Sequence, residues 1–143
     1  MLKKQHTKYI GIDYGKKRTG ISISDHNKVI SFPLDTIETK SLIFYLKDLI
    51  DNEKIEKVVI GKPLKLNNEL HELEIDIIQF IKSLKSIFPQ IIIERIDERY
   101  TSKISSLIIR QSGINQKSRM NKSIIDKISA SLILEAYLIK INK

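Results

Sequence analysis

A chain of 143 residues without cysteine has neither disulfides nor a thiolate metal site, and it is long enough to bury roughly 70% of its unfolded surface in one domain. No run approaches the ~20 apolar residues of a membrane span, and the charged Met1–Lys8 segment lacks a signal peptide's apolar stretch, so a soluble cytoplasmic protein with no membrane partner is expected. The formal net charge of +8 favours an acidic partner, nucleic acid first, although a coding bias toward AT-rich codons, visible as lysine and isoleucine over arginine, also raises basicity.

The first third of the chain reads as strands. Tyr9–Ile12, Thr19–Ser24 and Val29–Phe32 are separated by turn signals at Tyr14–Lys17 and Asp25-His26-Asn27, and Pro33 closes the third. Short connections make them an antiparallel meander. Helices and strands then alternate. Ser41 can cap a helix to about Asn52, with Leu42, Leu46, Leu49 and Ile50 on one stripe. Lys57–Ile60 is a short strand before Gly61-Lys62-Pro63, a long helix spans about Glu69 to Phe88, and Ile91–Ile96 is a fifth strand. Thr101 caps a helix ending before Gly113, a basic loop covers Ile114–Lys122, and a last helix runs from Ser123 to about Ile141. The result is one α/β domain over residues 1–143, a five-stranded mixed sheet flanked by helices.

In such sheets ligand sites gather at the carboxyl ends of strands. Two strands end there in acids: the first at Asp13, inside Gly11-Ile12-Asp13-Tyr14-Gly15, and the fifth at Asp97-Glu98. Asp126 lies in the first turn of the last helix. Carboxylates without cysteine, and with few histidines, suit Mg²⁺ or Mn²⁺ better than zinc. Two such ions ~4 Å apart can activate water and stabilise the leaving oxygen in phosphodiester cleavage.

Each acid also has a plainer reading. Asp13 could accept hydrogen bonds from the turn that follows it. Neighbours in a strand point to opposite faces, so one of Asp97 and Glu98 is expected to face Asp13. Ser123-x-x-Asp126 resembles a capping box. Yet Asp126 also tops a partly apolar stripe with Ser129, Ala130 and Ile133, where an unpaired charge is costly and a metal or basic partner would offset it. His6, His26 and His71 have no partners at metal-binding spacing, and no Walker A loop, nucleophile elbow or dinucleotide fingerprint is present.

Four blocks carry a resemblance over nearly the whole chain: Gly11-Ile12-Asp13-Tyr14-Gly15-Lys16-Lys17-Arg18-Thr19-Gly20, Val59-Ile60-Gly61-Lys62-Pro63-Leu64, Asp97-Glu98-Arg99-Tyr100-Thr101-Ser102, and Ile125-Asp126 followed by Ala130 and Ile133-Leu134. They resemble the YqgF (RuvX) family, bacterial ribonuclease H-like proteins described as pre-16S rRNA nucleases or Holliday-junction resolvase homologues. The resemblance implies an RNase H-like fold and a divalent-metal (Mg²⁺ or Mn²⁺) nuclease site of Asp13, Glu98 and Asp126, with Asp97 as the alternative to Glu98. Arg18, Arg99 and Thr101 match family positions that could contact substrate or hold the acids. In related resolvases the second acid follows the fourth strand. Here Gly61-Lys62-Pro63 offers none, and its role must pass to the fifth strand. Lys62 replaces a Leu, Asn67-Asn68 stand where a Gly is expected, and Ser129 replaces a small apolar residue.

The expected activity is therefore a cytoplasmic endonuclease maturing the 5′ end of pre-16S rRNA, working on RNA or the ribosomal precursor particle as a monomer or homodimer. Lys16, Lys17, Arg18, Lys117, Arg119 and Lys122 would contact backbone phosphates. Scarce aromatics argue against readout by base stacking. Alternatives are a resolvase of branched DNA, a non-catalytic ribosome-assembly factor that binds RNA, and, from the Gly-flanked Asp13 turn, a nucleotide-binding switch, which would need a second such domain.

Overall fold

Among the described residues, five strands form one mixed sheet flanked by three long helices. The computed structural model describes residues 6–63, 67–98 and 119–143, the side chains of 119–121 excepted. The strands are β1 (Lys8–Asp13), β2 (Arg18–Ser24), β3 (Ser31–Glu38), β4 (Ile55–Lys62) and β5 (Ile92–Asp97), in the spatial order β3-β2-β1-β4-β5. A short 3-10 turn, Thr39–Ser41, precedes α1 (Leu42–Glu53); α2 is Asn68–Ile87 and α3 is Arg119–Ile141. β1 pairs antiparallel with β2 and parallel with β4, and β4 pairs parallel with β5. The carboxyl ends of β1, β4 and β5 therefore share one edge, where the ends of two strands were expected to present acids.

Period-two alternation along β1 sends Ile10 and Ile12 to one face and Tyr9, Gly11 and Asp13 to the other. The first face packs with Ile21, Val58 and Ile60 under Leu42, Leu46 and Ile50 of α1 and Ile77, Phe80 and Leu84 of α2. The second packs Tyr9 and Val59 against Ile133, Leu134, Tyr137 and Leu138 of α3.

On that second face side chains are small, and the helix comes close. A Cβ at Gly11 would meet Ser22, the Ala130 carbonyl and Leu134, and one at Gly20 would meet the Asp126 backbone. Hydroxyls fasten the same contact: Ser22 Oγ donates to the Ala130 carbonyl at 2.7 Å, Ser31 Oγ to that of Ser131 at 2.8 Å, and Thr36 Oγ1 to that of Ser123 at 2.5 Å.

Three sequence expectations need correction. The third strand does not stop at Pro33; it runs to Glu38. Pro33 is tolerated because β3 is an edge strand, and a register shift between Ile21 and Ser22 admits an extra residue at Leu34. Ser41 sits at the start of α1 but makes no side-chain capping bond. The last helix starts at Arg119, a turn before Ser123, so Ser123 and Asp126 are interior residues and form no capping box. The Thr101-capped helix lies outside the described residues, as does most of the basic loop. α2 begins as expected within a residue, with Asn67 Oδ1 accepting from Leu70 N at 2.9 Å.

Because Gly20 faces helix backbone, which cannot rotate away, Gly20→Ala should lower stability by about 1–3 kcal/mol through overpacking. A urea midpoint equal to that of the native chain would show that α3 is not held at this distance.

Candidate active site

Asp13 ends β1 at the sheet's carboxyl edge, on the α3 face. It pairs in register with Gly20, the residue on which the Asp126 backbone rests. Absence of a side chain at Gly20 thus sets the third acid beside the first.

Glu98 arrives from the other direction. β4 lies between β1 and β5, so an acid at the end of β5 must cross it to reach Asp13. It crosses over Gly61: a Cβ there would meet the Glu98 carboxylate. Glu98 N donates to the Lys62 carbonyl at 3.1 Å, which fixes the crossing point, and the Glu98 side chain hydrogen-bonds Asp13. Asp97, paired with Lys62 at the last rung of the β4–β5 ladder, is exposed. Of the two fifth-strand acids, Glu98 is the one brought to Asp13.

Burial chiefly, then the charges of Glu98 and Asp126, holds the Asp13 carboxyl well above the ordinary carboxylate range. Glu98 is raised as well, mainly by burial, with its bond to Asp13 and the Arg95 guanidinium pulling the other way. The two carboxyls are hydrogen-bonded to each other, and burial raises both.

Asp126 takes a different partner. Arg18 Nε donates to its Oδ2 at 2.7 Å, supplying the basic partner that the apolar stripe of α3 demanded. With Asp126 turned to Arg18, no group of three acids or histidines among the described residues is drawn together closely enough to hold a metal ion.

Of the expected phosphate-contacting residues, Lys16, Lys17, Arg18 and Lys122 line a cavity of about 590 Å³ beside the acids. Arg99, Thr101 and Lys117 lie outside the described residues, as does the Arg119 side chain. Sequence reasoning passed over two contributors. Arg95 forms a two-pronged pair with Glu74 at 2.7 and 3.0 Å and donates to the Gly61 carbonyl at 3.0 Å, bracing the strand that Glu98 crosses. Lys40 joins the cavity wall. The only prior signal for either was a cation near a strand end.

The arrangement defines a class before it defines a family: an RNase H-like α/β fold with acids on one face of the sheet edge. T. thermophilus RuvC, solved in complex with a Holliday junction substrate, shares the fold at a TM-score of 0.62 with 11% identity, over 96% of this chain and 98% of that one. The family model for RuvX, described as Holliday junction resolvase, matches residues 7–140, and this chain belongs to that family. A Flavobacterium psychrophilum relative named "Putative pre-16S rRNA nuclease" is 43% identical over 129 residues, 90% of this chain and 94% of the relative. Relatives of the same name from Bacteroides fragilis (strain ATCC 25285) and Karelsulcia muelleri are 38% and 43% identical, covering 92% of this chain and 96% and 98% of their own lengths. Among the described residues no helix is long and apolar enough to cross a membrane.

The raised Asp13 carboxyl has a thermodynamic sign. Below the ordinary carboxylate range folded and unfolded chains are both protonated and the site costs nothing. As pH rises through that range the unfolded chain ionises while the folded one keeps its proton, so stability falls until the raised value is passed. In metal-free buffer Asp13→Asn should therefore melt a few degrees above the native chain at neutral pH, an advantage that shrinks toward pH 4. A difference in Tm that stays flat with pH would contradict this.

Proposed function

We propose that this chain is a cytoplasmic, divalent-metal-dependent endonuclease that cleaves a phosphodiester in structured RNA during maturation of the 5′ end of 16S rRNA. The observation that carries the reading is the placement of Asp13, Glu98 and Asp126 on the α3 face at the carboxyl edge of the sheet, next to a cavity walled by cations. The names of its relatives support the substrate.

The residues fit a hard divalent cation. All the donors are carboxylate oxygens, and Asp13 and Glu98 are buried against each other, where a cation would offset the cost of two like charges. Asp13, Glu98 and Asp126 would hold it; once bound it would supply an activated water and neutralise charge on the cleaved phosphate. The chain's own part is to desolvate the carboxylates and to turn Asp126 from Arg18 toward the other two. Arg18 and the neighbouring lysines hold the nucleic acid backbone by charge alone, so shape rather than sequence selects the substrate.

Purified protein with Mg²⁺ or Mn²⁺ should cleave precursor 16S rRNA. Asp13→Asn, Glu98→Gln and Asp126→Asn should each lower the rate about 10²–10³-fold, while Asp97→Asn stays near native. The Gly61 crossing gives a sharper test. The nearest atoms a methyl there meets belong to the movable Glu98 side chain, so Gly61→Ala should keep its Tm yet lose about 100-fold in rate with every acid in place. Undiminished cleavage by Gly61→Ala would remove Glu98 from the site. The family description favours a second substrate, a four-way DNA junction, and the same assay compares the two directly. Absence of metal-dependent cleavage of either, with Asp13→Asn still complementing a deletion, would leave a non-catalytic assembly factor.

A further inference from the structure

The cavity beside the acids is assembled from two turns distant in sequence. Lys16 and Lys17 come from the β1–β2 connection and Arg18 opens β2, Glu38 ends β3 with Lys40 just after it, and Lys122 comes from α3. Among the described residues, five cations thus face one carboxylate. One residue joins the two turns. Thr39 N donates to the Lys17 carbonyl at 2.9 Å, Thr39 Oγ1 donates to the Gly15 carbonyl at 2.6 Å, and it lies 2.8 Å from the hydroxyl of buried Thr19. Thr39 is pinned on both its backbone and its hydroxyl, and the next residue, Lys40, lines the cavity together with Lys16, Lys17 and Arg18.

Two of the cations that line this cavity are held by exchangeable partners. Lys40 pairs with Glu38 at 3.1 Å and Lys16 with Glu72 at 2.8 Å, all four side chains more than half exposed, and such pairs add little stability. Arg18 spans the cavity and Asp126. A ligand with several anionic oxygens could replace these contacts with stronger charge-assisted ones. The volume suits a phosphodiester with flanking sugars, no aromatic side chain among the described residues lines it for stacking, and it adjoins the carboxylates through Arg18.

We propose that this cavity is a second backbone-phosphate subsite, taking a phosphodiester next to the one presented to the carboxylates. Lys40 is a phosphate-contacting residue of the subsite, and Thr39 is the positioning residue that delivers it. The inference rests on the nucleic-acid substrate of the preceding section but not on cleavage.

Binding is therefore measured without catalysis: anisotropy of a labelled precursor-rRNA hairpin in EDTA, over a KCl series. Lys40→Ala should weaken binding several-fold and lower the slope of log K against log salt by about 0.7–0.9, the signature of one lost phosphate contact. Lys40→Arg should restore both. Thr39→Val, which keeps Lys40 but loses the hydroxyl bonds, should weaken binding less than Lys40→Ala. Lys82→Ala, on the exposed side of α2, removes the same charge elsewhere and should leave the slope unchanged. A native slope for Lys40→Ala, or an equal loss for Lys82→Ala, overturns the subsite. With metal added, Lys40→Ala should raise KM and leave kcat near native. Lys40-dependent binding by a protein that never cleaves would sink the nuclease reading and keep the subsite; normal cleavage with Lys40-independent binding would do the reverse.

Discussion

The closeness of α3 to the sheet is the constraint from which the site follows. Gly11 and Gly20 remove side chains where the helix backbone passes, and the hydroxyls of Ser22, Ser31 and Thr36 bond to its carbonyls. An ordinary helix-on-sheet contact, spaced by large apolar residues, would leave Asp13 in water and Asp126 out of reach. At this distance Asp13 is desolvated, its carboxyl is pushed well above the ordinary range, and its neighbour on the helix is the acid that α3 places over Gly20. Packing and chemistry are set by the same few small residues.

Charge is sorted around that contact by depth. Carboxylates occupy the dry side of the sheet edge, where burial and the neighbouring acids raise the proton affinity of Asp13. Cations occupy the wet rim, on turns and at the exposed side of α3. Arg18 bridges the two zones, and Arg95 braces β4 from the opposite face through the Gly61 carbonyl and Glu74. The fold thus keeps opposite charges close without letting the rim neutralise the buried pair.

Much of this was legible in the sequence because local patterns and tertiary demands agree. Strand alternation at Tyr9–Ile12, the stripe of α1 and the order of the elements all reflect burial on one face, which periodicity reports directly. The failures share a cause: a local signal imitated a boundary. Pro33 looks like a strand end, but an edge strand does not need its N–H. Ser123-x-x-Asp126 looks like a helix start, but the helix had already begun. The choice between Asp97 and Glu98 could not be read from alternation, because Glu98 lies just past the strand and its direction is decided by the empty space at Gly61. Lys40 was overlooked because its place depends on Thr39 hydrogen bonds to residues more than twenty positions away.

The outer strand has a further consequence. β3 exposes Phe32 and Leu34, with Val29 and Ile30 in the turn before it, so its margin is sticky in composition. Pro33 offers no amide hydrogen, and the bulge beside it breaks the rhythm of donors and acceptors along that margin. An incoming strand from another molecule would find apolar contact but no continuous ladder to extend. Crowding should therefore yield loose, reversible association at this margin rather than the templated sheet growth that leads to fibres.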